Sequence, residues 1–284
     1  MRMSLILDPT REWSQMAELA SAVDDAEWHA IYTCDHFMPY SSTGEPEGGA
    51  VLECWTSLTA LAGLTRQVRL GSLVMSNTYR HAALVANMAA TLDVITGGRV
   101  ILGVGAGWQV NEHTAYGIDL PAPRARIEAL DEACSVITSL LREERSAFDG
   151  RHYRLTDAPC EPKPVQRPLP LLVGASGEQL ALRVVAKHAD IWHYWMEADD
   201  LLRKSALVDR FCEDIGRDPG SLQRSTGGTI DLDDDPTEVV DRLLTLQEAG
   251  ASEFILIDDA ENITFAQALA QVDVLSTRVL PAVA

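Results

Sequence analysis

The chain has 284 residues, 46% of them hydrophobic, enough to bury a substantial core and too many for wholesale disorder. Its 42 acidic residues outnumber 23 basic ones for a formal charge of −19, which argues against nucleic acid and anionic membrane surfaces, since both need basic patches. The five scattered cysteines contain no C-x-x-C pair and suit reduced thiols in the cytoplasm, and no apolar run reaches a transmembrane length.

In chain order, the opening MRMSLILDPT has a short apolar run cut at Asp8-Pro9, and reads as a strand rather than a signal peptide or anchor. Met16, Leu19, Ala20 and Val23 then fall on one helical face. AIYTC is the second strand, ending at Asp35-His36. After a glycine-rich loop, Cys54, Leu58, Leu61 and Thr65 mark the next helix. QVRLGSLVM and RVILGVG are strands three and four, separated by a helix bearing Val85, Met88, Leu92 and Ile95. Ile127, Leu130, Cys134, Ile137 and Leu141 follow at helical spacing. PLPLLVG, ADIWHY, LQRSTGGTI and EFILID complete the strands, each with a helical stretch behind it.

Short apolar runs alternating with 3.6-period stretches imply parallel strands buried on both faces. Eight such units in one chain of this length predict a (β/α)8 TIM barrel spanning residues 1–284 as a single α/β domain. Residues 142–170, with FDGRHYRL and then a proline-rich connector, read as an insertion between the fourth helix and the fifth strand. A doubly wound sheet is the competing architecture, and GGRVILGVGAGWQVNE decides against it. A G-x-G-x-x-G register starting at Gly103 needs glycine at Trp108, and one starting at Gly105 needs it at Val110. In a barrel these glycines instead lie at the C-terminal end of a strand, where active sites are built and where a ligand can approach the backbone.

CDHF places Asp35 and His36 at another such strand end, with the chemistry for positioning and proton transfer. The GASG turn, Gly174 to Gly177, opens a helix with free N–H groups suited to a phosphate, or is an ordinary connection. Cys34 reads as inward-packed rather than nucleophilic. No G-x-S-x-G elbow or H-x-x-x-H pattern occurs, so neither a serine triad nor a metal site is expected. Trp108, Trp192, Tyr194 and Trp195 follow predicted strands, where aromatics line a pocket for a flat cofactor and an apolar substrate, or cap the barrel.

CDHF, residues 53–117, PKPVQRPLPLLVGASGE and KHADIWH together resemble the luciferase-like flavin and deazaflavin oxidoreductases, especially the actinobacterial group that uses coenzyme F420. The resemblance covers most of residues 30–195. It implies a hydride-transferring oxidoreductase with F420 across the barrel mouth, and a homodimer. It also implies a cis peptide at Leu73-Val74 backing the cofactor ring. Asp35 would contact the cofactor and His36 would lie near the reacting carbon, the two forming the catalytic pair. Gly107, Asn111 and the turn Gly174, Ala175, Ser176 and Gly177 would bind the cofactor, and Trp108, Trp192 and Trp195 would shape the substrate pocket. There are departures: Trp108 replaces the glutamate of the sugar-phosphate dehydrogenases in this family, and His193 stands where asparagine is common. Three lysines, none at a predicted strand end, make glucose 6-phosphate an unexpected substrate. An FMN-dependent monooxygenase of the same type, and a non-catalytic flavin-binding protein, are the alternatives.

Overall fold

The computed structural model describes residues 1–283. Eight parallel barrel strands alternate with helices. They run β1 (Arg2–Ile6), α1 (Trp13–Asp25), β2 (Ala30–Thr33), α2 (Cys54–Ala62), β3 (Arg69–Ser72), β4 (Met75–Ser76), α3 (Ala82–Thr96) and β5 (Val100–Gly105). Then come α4 (Val110–Tyr116), α5 (Pro123–Arg142), β6 (Ser146–Asp149), β7 (Arg154–Ala158), β8 (Leu171–Gly174), α6 (Ala181–His188), β9 (Ile191–His193) and α7 (Ala198–Asp214). The chain closes with β10 (Gln223–Gly228), α8 (Pro236–Glu248), β11 (Glu253–Ile257), α9 (Phe265–Val274) and a terminal turn into α10 (Leu280–Val283). β1 pairs with β2 and β11, and β3 with β5 through Leu70–Val100 and Gly71–Ile101, so the ladder has no free edge.

Strand parity sorts two cores. Ile6, Ala30, Tyr32, Ile101, Leu172, Ile191 and Ile255 fill the barrel interior. Their chain neighbours, among them Leu5, Ile31, Leu102, Val173, Trp192 and Phe254, pack outward under the helices. This is why the strands read as unbroken apolar runs: both faces are buried.

Two local features matter for the site. First, the cis peptide bond expected at Leu73-Val74 is present, and it divides the third barrel strand into β3 and β4. At Gly103 a Cβ would sit 1.9 Å from the Ser72 carbonyl oxygen. The glycines of β5 therefore make room for the neighbouring strand more than for a ligand. Second, an unexpected short helix, α4, follows β5 and carries Asn111, Glu112 and His113 inward. The segment after α5 forms an antiparallel β6–β7 hairpin. Glu132 of α5 accepts the N–H groups of Arg151, His152 and Tyr153 at its tip, and the Tyr153 hydroxyl donates to Asn77 at 3.1 Å, beside the mouth.

Candidate active site

A cavity of about 190 Å³ opens at the C-terminal end of the barrel, where the loops after β2, β4, β5, β8 and β9 meet. A cavity of about 350 Å³ at the other end of the barrel, between the end of α5 and the start of β8, gathers none of these loop residues. The mouth is the chemically equipped end.

Asp35 leaves β2 and is fully buried. Its carboxylate accepts the Ser76 N–H at 2.9 Å and two contacts from Arg80 Nη1 at 2.8 and 3.0 Å, while Arg80 Nη2 reaches Glu53 at 2.5 Å. Burial pushes the Asp35 carboxyl above its ordinary range, and Arg80 and the Ser76 N–H pull it back. The side chain lines the cavity, but its visible work is to bracket the end of β2 to the loop after β4.

His36 is held from behind. Its Nδ1 lies 2.8 Å from Glu112 Oε1, and Glu112 Oε2 accepts the Phe37 N–H at 2.8 Å. The Tyr79 hydroxyl donates to the same carboxylate. Glu112 is completely buried. Burial alone would raise its carboxyl, but the hydrogen bonds from His36, Tyr79 and Phe37 hold it below the usual range. Burial and the Glu112 contact push the Tyr79 phenol well up, so it stays a donor. With Nδ1–H donated to the carboxylate, the neutral form of the ring carries its lone pair on Nε2. A glutamate in the first turn of α4 was a legible signal, but its partner lies 76 residues away.

Leu73, Val74 and Gly107 line the cavity. Gly107 has φ +78°, and a Cβ there would meet Ser76 Oγ at 2.6 Å. Asn111 is a correction. It is buried off the cavity, and its Nδ2 donates to the Pro39 carbonyl at 3.0 Å, bracing the loop after His36 together with Gln109. In the GASG turn, Gly174 borders the cavity. Ala175 is buried: its N–H bonds the His193 carbonyl and its carbonyl accepts Trp192 Nε1 at 2.8 Å. Among the described residues no acceptor engages the Ser176 and Gly177 N–H groups. The Ser176 carbonyl takes a 3.0 Å hydrogen bond from Lys204 of α7, so one of the three lysines does reach a strand end.

The tryptophans divide. Trp108 is 55% exposed at the rim, edge-on to His36 with centroids 5.5 Å apart. Trp195 also borders the cavity, packed edge-on to His193 at 4.5 Å. Trp192 does not border it and was wrongly expected there. One residue beyond inward-facing Ile191, it has outward parity and is wholly buried under the helices. The same parity turns His193 inward. Its Nδ1 meets Ser225 Oγ at 2.9 Å and its Nε2 is buried.

The luciferase-like monooxygenase family matches residues 3–276. The chain belongs to this family. It is 30% identical over 231 residues to a protein named F420-dependent glucose-6-phosphate dehydrogenase from Kineococcus radiotolerans, a match covering 80% of this chain and 66% of that one. A namesake from Amycolatopsis mediterranei is 32% identical over 61% of this chain and 50% of its own. The chain thus spans between half and two thirds of these curated relatives. Among solved structures, an F420-dependent secondary alcohol dehydrogenase in complex with an F420–acetone adduct superposes with a TM-score of 0.84 at 18% identity, over 100% of this chain and 99% of the other. A Streptomyces bottropensis monooxygenase gives 0.83 at 19%, over the whole of both chains. At these identities the two structures speak for the fold alone.

Proposed function

We propose that this protein is an F420-dependent oxidoreductase acting on a small organic substrate of apolar or aromatic character. The observation that carries the reading is His36, backed by an ionised Glu112 and facing a cavity whose other walls suit a flat cofactor. Leu73 and Val74 offer an apolar wall for the ring, and the GASG turn offers the Ser176 and Gly177 N–H groups to a phosphate. The relatives named for F420 support the choice of cofactor. When bound, the deazaflavin supplies or takes up a hydride. The protein's part is to hold ring and substrate together under Trp108 and to exchange a proton at His36 Nε2, with Glu112 fixing the imidazole and balancing its charge.

The lining argues for an uncharged substrate. Among the described residues that border the cavity there is no lysine or arginine, while Trp108, Tyr194 and Trp195 do border it. A sugar phosphate, the substrate in the relatives' names, would find no cationic side chain among the described residues of this lining. The Cys34, Cys54, Cys134, Cys160 and Cys212 thiols are all unpaired, which supports a cytoplasmic setting. We also propose a homodimer through α2 and α3, where exposed Ile95 borders a shallow groove with Trp55 and Met88, and Leu84 of the same helix is also exposed. Sedimentation should show a dimer that Ile95→Glu dissociates; a monomeric wild type would refute the assignment.

Fluorescence titration with F420 and, separately, FMN tests the central reading. Tight F420 binding with weak FMN binding is expected. The reverse result, with oxygen uptake by the reduced protein, would replace it with the monooxygenase reading. Cofactor binding without turnover of any hydride acceptor would leave a carrier protein.

A further inference from the structure

His193 is an element of the cavity wall that neither the fold nor the proton-handling pair accounts for. It ends β9 with inward parity, is 4% exposed, and borders the cavity beside Trp195. Ser225 on the adjacent β10 fixes Nδ1 at 2.9 Å, and that contact orients the ring. Nε2 is buried and, among the described residues, has no hydrogen-bond partner. Buried ring nitrogens are rarely left this way, because an unmatched one gives up its hydrogen bond to water and gains none in return.

We propose that His193 is a specificity-determining residue whose Nε2 hydrogen-bonds a neutral oxygen, carbonyl or hydroxyl, of an uncharged substrate with an apolar body. The proposal rests on the functional reading above and narrows its substrate class. Three features set the chemistry. The imidazole contributes a single hydrogen bond and no charge, since burial lowers its pKa to about 3. The neighbouring surface is the Trp195 ring, edge-on at 4.5 Å, which favours a hydrocarbon or aromatic body. A Cβ on Gly227 would sit 2.1 Å from the Ile255 carbonyl oxygen and 2.6 Å from Trp195 Cζ3, so glycine on β10 makes room first for β11 and then for that indole. By contrast, the Glu112 carboxylate on the far side is already engaged and held ionised, and its negative charge disfavours an anionic ligand.

The test uses the F420-loaded protein, its own tryptophan fluorescence or calorimetry, and three probes: cyclohexanone, cyclohexanecarboxylate and glucose 6-phosphate. Wild type should bind the ketone more tightly than either anion. His193→Phe should weaken the ketone roughly three- to tenfold, the range of one neutral hydrogen bond. His193→Gln, which can place an amide near Nε2, should recover most of that loss, and Ser225→Ala should lose part of it by freeing the ring. If His193→Phe does not fold, the Gln and Ala variants carry the comparison. A ketone affinity indifferent to His193, no ketone binding, or equal binding of the carboxylate would overturn the proposal. So would F420 affinity falling in step with the ketone, which would make His193 a cofactor ligand. Failure of wild type to bind F420 at all is a different result and defeats the functional reading itself.

Discussion

His36 on the β2 side of the cavity and His193 on the β9 side share one space but not one electrostatic setting. Behind His36 stands an ionised, buried carboxylate that accepts three hydrogen bonds and can balance a proton arriving on the ring. Behind His193 stands a serine hydroxyl, with no charge to offset protonation, and its pKa falls to about 3 under burial. The same side chain is thus prepared for proton exchange on one wall and for neutral recognition on the other. The difference lies in the partner at Nδ1, not in the imidazole.

The largest expected effect comes from removing the first histidine. His36→Ala should lower kcat by about 10²–10⁴-fold, the usual worth of a positioned acid–base group, with F420 affinity changed little. A loss of cofactor binding instead of turnover would assign His36 to binding and dissolve the contrast.

Changing the partner is the sharper experiment. Glu112→Gln keeps the shape but removes the charge, and can present its amide N–H to Nδ1, reversing the tautomer. Turnover should drop by roughly ten- to a thousandfold, less than for His36→Ala, with a displaced pH–rate profile. Unchanged kcat and profile would reduce Glu112 to a support of the loop.

The smallest effect reads the other wall. Between pH 6.5 and about 3 the unfolded chain takes a proton at His193 that the native state refuses. Stability from this group is therefore full above pH 6.5 and is lost as pH falls through that window, at up to about 1.4 kcal/mol per pH unit. His29, lowered to about 3 by burial and then by Arg2 and Arg69, adds in the same direction. His193→Asn should flatten part of the slope in urea unfolding curves taken across this range. An identical slope would mean that His193 is protonated in the native state, and the neutral setting would fail.

The sequence by itself determined the barrel and the address of its site. Alternating apolar runs and helical stretches are local patterns, and a parallel barrel then places CDHF, GVGAGW and GASG together at one mouth. Even the misplacement of Trp192 was avoidable, because parity counted from Ile191 sends it outward and His193 inward. Tertiary structure alone decided the partners. Nothing near His36 in the chain announces Glu112, and Asp35 finds Arg80 only because β4 and its loop fold back over the end of β2. The short helix carrying Glu112 brings that carboxylate to His36 only in the folded barrel, whereas the break at Leu73-Val74 is already implied by the family resemblance. Burial, charge and tautomer are properties of such non-local contacts, so the sequence could name the histidines but not say what each was prepared to do.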